Sequence, residues 1–268
     1  MEQTTDTTIC NLVMRVGPAR FEAAVYTAVG EGEFRLFSFP LGLSGRAPLD
    51  AIQEAVYDTP LLLSDFRRSF CIIETPHILI TPSEIPEADA ARLFALQWPE
   101  AKGRVRHTGI GVSNARMTYA IDPGLEGFFS RTFSPEMQVE PALAPLVKYL
   151  STRSGRGSSA RMVCNLRPES LDLIVLQGSH LRMANTFRYD KPMDAFYYIM
   201  ASRKSLGLDP ATDEMYLTGT QHVREQLSPM LQRYIARVMP VIFPPQMFNA
   251  GREALTAPFD MIVTPICE

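Results

Sequence analysis

Two stretches of this chain match at a fixed offset of 150 positions, and that repeat constrains the fold more than any single motif does. NLVMRVGPARFEAAVY runs from Asn11 to Tyr26, and MVCNLRPESLDLIVL from Met162 to Leu176. Moved back by 150, Val163 falls on Val13, Leu166 on Val16, Pro168 on Pro18, Asp172 on Glu22 and Val175 on Val25, with no gap. Each copy reads as an apolar strand, a tight turn at Gly17-Pro18 or Arg167-Pro168, and a second apolar strand. A further turn, Gly30-Glu31-Gly32 or Gln177-Gly178-Ser179, leads to a third strand over residues 33–39 or 180–187. Turn residues bounding β-rich runs at this spacing define a three-stranded meander. The chain is therefore expected to hold two copies of one unit.

The segments after the two meanders also repeat. In the second half, Asp190 and Pro192 open a helix, as a capping carboxylate and a first-turn proline do. Phe196, Ile199, Met200 and Arg203 keep its spacing, and Gly207 closes it. A short strand over 215–217 precedes Thr218-Gly219-Thr220. Val223, Leu227, Leu231 and Ile235 then recur every four residues as an amphipathic helix, which kinks or restarts at Ser228-Pro229. A strand over 238–243 completes the order βββαβαβ. The first half places a helix at 49–57 and a strand at 70–73. An insertion near 76–100 adds a strand at 77–81 and a helix at 87–98. The regular order resumes with a strand at 117–121, a helix at 124–133, a strand at 137–139 and a helix at 142–150. Between the halves, residues 151–159 (STRSGRGSS) are small and basic. They read as a linker, with a basic loop that meets an anion as the alternative.

Composition adds exclusions. The 268 residues suffice for two lobes. A net charge of -3 gives no general pull toward nucleic acid. No apolar run approaches the roughly 20 residues of a bilayer span, and residues 1–9 lack a signal-peptide pattern. A cytoplasmic protein without membrane insertion is expected. Cys10, Cys71, Cys164 and Cys267 lie far apart and read as buried reduced thiols. His77, His107, His180 and His222 are equally scattered, so no metal site is expected.

Three antiparallel strands followed by αβαβ, twice in one chain, is the plan of the ribonuclease-H-like fold duplicated in actin-like ATPases. The stretch TYAIDPGLEGFFSRTFSPEMQVEPALAPLVKYL, Thr118 to Leu150, resembles the part of PilM- and GspL-type pilus and secretion proteins that closes the first lobe. The whole chain resembles domain-of-unknown-function family 3822 of Bacteroides-like bacteria, a degenerate branch of the actin-like superfamily. The expected fold class is thus α/β, with two ribonuclease-H-like lobes about a central cleft. Residues 1–150 form the first lobe with its insertion, 151–160 the linker and 161–268 the second lobe.

That resemblance also implies where to look. In active actin-like ATPases each first hairpin is a phosphate loop. An Asp ends the first strand and holds the metal. A Gly two residues on lets backbone N–H groups reach phosphate oxygens. Here the acid positions fall on Arg15 and Asn165, and the glycine positions on Gly17 and Arg167. Each turn then has a proline, which offers no N–H. A Gly-Gly pair that meets adenosine falls at 217–220, where Gly219 alone is left. The resemblance names Gly17, Arg20, Asn165, Arg167, Ser170, Gly219 and Thr220 as cleft candidates, with no catalytic residue and no metal ligand.

Two readings of Arg15, Arg20 and Arg167 stay open. They replace a metal by pairing with an anion, or they are turn residues whose stems cover the cleft wall; the second is preferred. Glu22 and Asp172 are cleft acids or, as preferred, the polar side of each meander. Glu169 and Ser170 suit a turn cap. Without the acids, the expected function is that of a pseudo-ATPase, a non-catalytic scaffold or protein-interaction module. It needs no cofactor and binds an unidentified protein. Trp98 is an interface anchor or a buried residue of the insertion. The alternative is a nucleotide-binding ATPase or kinase-like enzyme with atypical phosphate loops, taking ATP and magnesium.

Overall fold

The computed structural model describes residues 6–27, 34–42, 47–153, 159–247, 253–254 and 257–267. The repeat appears in its strands. Strands β1 (Cys10–Val16) and β2 (Arg20–Thr27) recur as β9 (Ala160–Leu166) and β10 (Ser170–Gln177), each bound displaced by 150 residues. Strands β3 (Arg35–Pro40) and β11 (His180–Arg188) complete the two antiparallel meanders. The turn expected at 30–32, the start of the third strand at Glu33 and linker residues 154–158 lie outside the described residues.

Each meander grows into a five-stranded sheet by parallel additions. The first has the order β3-β2-β1-β4-β8, with β4 at Arg68–Ile73 and β8 at Val139–Pro141. The second has the order β11-β10-β9-β12-β13, with β12 at Glu214–Gly219 and β13 at Val238–Pro240. Both are mixed sheets whose central strands are apolar on both faces, because each face carries helices. Helices α1 (Pro48–Tyr57) and α3 (Pro123–Thr132) cover one face of the first sheet through Ile52, Val56, Leu125, Phe128 and Phe129. Helices α5 (Pro192–Ser205) and α6 (Gln221–Leu231) cover the second through Ala195, Ile199, Val223 and Leu227. Helix α4 (Leu143–Thr152) and the short α7 (Phe259–Val263) fill the space between the two sheets.

Local details differ from expectation in several places: β8 runs two residues later than its pattern and β13 stops at Pro240, short of 243. The insertion is a third sheet, β5-β7-β6, made of β5 (Ile78–Pro82), β6 (Arg104–Gly109) and β7 (Ala115–Ile121), with helix α2 (Glu87–Gln97) packed on it. β7 therefore belongs to this small sheet, although its pattern reads as a return to the main one. β6 has no sequence signal, since Arg104, Arg106 and His107 break the apolar alternation of a strand. Asp190 does not cap α5. Lys191 holds the cap position, and its backbone N–H donates to Asp194 Oδ2 at 3.0 Å. Helix α6 carries Pro229 without restarting and ends at Leu231, two residues later, so Ile235 packs from the following turn.

Trp98 lies half-buried at the end of α2. Its indole N–H donates to the Ile78 carbonyl at 3.1 Å, and its ring packs on His77. It holds the insertion together, and the large exposed apolar residues of α2 are instead Leu93 and Leu96. Cys10, Cys71 and Cys164 are buried thiols, and the half-buried Cys267 thiol donates to the Val263 carbonyl at 3.1 Å.

Candidate functional site

The two meander hairpins face each other across a cleft with a cavity volume of 660 Å³. Gly17, Arg20, Asn165, Arg167, Ser170, Gly219 and Thr220 all line it. Fold symmetry brings them together, since β1 and β9 are the central strands of their sheets and both turns sit at their ends.

The two turns close the same way. The Gly17 N–H donates to the Arg20 carbonyl at 2.9 Å, and the Arg167 N–H to the Ser170 carbonyl at 2.8 Å. The next residue of each turn is a proline. The N–H groups nearest the strand ends are thus either engaged within the hairpin or missing.

Beneath the turns lies a buried charge network. Arg15 stands opposite Glu22 in the β1–β2 register and donates from Nε to its Oε2 at 2.9 Å, and from Nη2 to the same oxygen. In the second lobe Asn165 stands opposite Asp172 and donates from Nδ2 at 3.0 Å. Arg167 adds a two-pronged contact to Asp172, Nη1 to Oδ2 at 2.6 Å and Nη2 to Oδ1 at 2.7 Å. Thr186 Oγ1 donates to Asp172 Oδ1 at 2.7 Å, so that carboxylate receives four hydrogen bonds. Arg167 Nε also donates to Ser170 Oγ at 3.0 Å, and Tyr189 Oη donates to the Arg167 carbonyl.

Two further carboxylates, which sequence reasoning missed, bridge the lobes. Asp260 of α7 lies 3.1 Å from Arg15 Nη1 and 3.3 Å from Arg167 Nη1, and is wholly buried. Glu74, just past β4, lies 3.6 Å from Arg15 Nε and 3.2 Å from Arg167 Nε. Glu22 and Asp172 are correspondingly buried ion-pair partners, not the polar side of a solvated meander. Burial works against the charge on both arginines, but the carboxylates around them outweigh it and raise each guanidinium pKa. Arg20 lies outside the network; it is exposed and donates to Ser38 Oγ at 2.8 Å.

Two arginines among four carboxylates leave the network short of positive charge. Glu74 has the single longest contact, 3.6 Å to Arg15 Nε, and its pKa is raised: burial is the largest cause, only partly offset by Arg167 and Arg15. A carboxyl whose folded pKa exceeds its unfolded value favours folding at low pH, and loses that contribution as pH rises through the folded pKa. Glu74→Gln is therefore expected to leave stability at pH 7 unchanged or higher. It should also flatten the loss of stability that begins above about pH 4.3, the ordinary glutamate range. Urea unfolding across that range checks both.

Gly219 has a structural role. Its φ is +93°, and a Cβ there would fall onto the Leu166 carbonyl oxygen and 2.7 Å from the Leu166 nitrogen. The glycine lets β12 run against β9, with the Thr220 N–H donating to the Leu166 carbonyl at 2.7 Å. Its own carbonyl accepts from Arg224 Nε at 3.1 Å.

These lobes and this cleft have relatives. A family model described as "Protein of unknown function (DUF3822)" matches residues 2–238. The chain belongs to the DUF3822 family. Among solved structures it is similar to a Bacteroides thetaiotaomicron VPI-5482 protein with an actin-like ATPase fold and unknown function. That match has 21% identity over 100% of both chains and a TM-score of 0.81. It is also similar to a chain of a PilM–PilN type IV pilus biogenesis complex, at 13% identity over 96% of both chains with a TM-score of 0.61. No curated protein matches the sequence. These likenesses give this DUF3822 chain the actin-like ATPase fold. Among the described residues, no group of three or more His, Cys, Asp or Glu side chains is arranged to hold a metal, and no helix is long and apolar enough to cross a membrane.

Proposed function

We propose that this DUF3822 chain is a pseudo-ATPase, an actin-like body that works in the cytoplasm by binding another protein and not by turning over a nucleotide. One observation carries the reading. The strand ends where a metal-holding acid would stand carry Arg15 and Asn165, and the floor between them is occupied by Arg15, Arg167 and four carboxylates already paired with one another. A magnesium–triphosphate does not fit this floor. The arginines have no guanidinium edge to spare for phosphate, the acids are held by arginine, and the network's excess negative charge repels further anions.

A protein partner is the remaining use of a preserved two-lobed body. It is supported by likeness to a chain of a PilM–PilN type IV pilus biogenesis complex. Calorimetric titration with ATP, with and without magnesium, is expected to show no binding up to millimolar nucleotide. Micromolar, magnesium-dependent binding would overturn the proposal. Affinity capture from the native cell, followed by titration of the purified candidate, is expected to yield a protein that binds at a fixed ratio.

A further inference from the structure

Helix α7 belongs to neither five-stranded sheet, yet all five of its residues are buried. Met261 and Ile262 pack with Val13, Ala24 and Tyr26 of the first sheet, and Tyr26 Oη donates to their carbonyls at 3.1 and 3.2 Å. Phe259 and Val263 pack with Val163 and Ile174 of the second. Asp260 points between them into the cleft floor, where Arg15 and Arg167 both reach its carboxylate.

Each of these arginines already holds the acid of its own hairpin, Glu22 or Asp172. The Nη1 group of each guanidinium also reaches Asp260. Two like charges brought together in a buried site repel unless an anion lies between them, and Arg167 does work against the charge on Arg15. Glu74 lies against the Nε side of both, and Asp260 is the wholly buried anion between their Nη1 groups. No strand ladder ties α7 down, so it can leave without unpairing either sheet. Packing, the Tyr26 hydroxyl and the Asp260 carboxylate hold it.

We propose that α7 is an internal ligand of the cleft floor. Asp260 fills a two-arginine anion seat that joins the lobes, and α7 leaves that seat as a unit before either sheet comes apart. This concerns how the two lobes are held together and does not depend on the partner.

Native-state hydrogen exchange of the full chain, at denaturant concentrations below global unfolding, tests it. The amides of residues 261–264, 266 and 267 are expected to share one opening at least about tenfold more frequent than that of β1 and β9. Exchange of these amides only together with β1 and β9 overturns the proposal, and this measurement needs no variant. In Asp260→Ala the same opening is expected to become at least about tenfold more frequent again, with β1 and β9 still protected. Sodium formate, which supplies the removed carboxylate, is expected to reverse that change where sodium chloride does not. An unchanged rate in the variant, or equal effects of the two salts, overturns the anion seat.

Discussion

Arg167→Met is expected to destabilise the protein by about 3–5 kcal/mol, the usual cost of removing one partner from a buried ion pair. The side chain is buried and meets three carboxylates, Asp172, Glu74 and Asp260. Methionine fills similar volume but leaves Asp172 without its two-pronged partner, and Asp260 with Arg15 as its remaining cation. The urea midpoint should fall accordingly, with the slope unchanged. Arg167→Lys keeps the charge but cannot reach two oxygens of Asp172 in one plane, so an intermediate loss is expected. Were Arg167 a solvated turn residue whose stem merely covers the wall, both variants would stay within about 0.5 kcal/mol of the parent. The contrast with Glu74→Gln is the sharper test. In a network short of positive charge, losing a cation and losing the least compensated acid move stability in different directions.

Gly219→Ala is the second large effect. The residue holds φ at +93°, which costs a non-glycine residue about 1–3 kcal/mol. The added methyl also collides with the Leu166 backbone, a rigid part of β9, adding about 1–3 kcal/mol of overpacking. A combined loss of about 2–6 kcal/mol is expected by chemical denaturation. Separation of β12 from β9 should appear as lost amide protection at Thr218 and Thr220. Gly17→Ala serves as the comparison. Gly17 does not have positive φ, and its Cβ would lie 3.1 Å from a carboxylate oxygen of Glu74, a side chain able to shift. A loss of about 1 kcal/mol, the low end of overpacking, is expected there. If glycine at 219 were present to admit a ligand, the alanine variant would keep parental stability.

The offset of 150 made the two lobes legible, because the meander strands are continuous apolar runs bounded by glycine and proline, and such runs survive as pattern. The boundaries of β1, β2, β9 and β10 follow it residue for residue. The small sheet was less legible. β7 has the apolar run of a main-sheet strand, and only its pairing with β5 and β6 gives it away.

The cleft residues could be located, but their chemistry could not be read. The repeat places Arg15 over Asn165 and Gly17 over Arg167, so it treats the two arginines as unrelated substitutions. In space they do matching work from positions two residues apart in the repeat, each holding its own hairpin's acid. Glu22 and Asp172 look like the polar points of half-exposed strands, because a buried acid and a solvated one have the same letter. Asp260 stands 245 positions from Arg15 in a short apolar segment with no motif around it. Glu74 reads as an ordinary polar residue after a strand. Long-range charge pairing leaves no periodicity in sequence, and here it decides what the cleft can accept.

The distribution of thiols across the two sheets has a practical consequence. Cys10 and Cys71 sit in the neighbouring strands β1 and β4, while Cys164 sits in β9, and all three are buried and unoxidised. Burial raises the pKa of Cys71 and Cys164, so neither is a reactive thiolate while its sheet is intact. A pulse of alkylating reagent read by peptide mass would clock the exposure of each half independently. The parent protein thus carries its own reporters of which half gives way first.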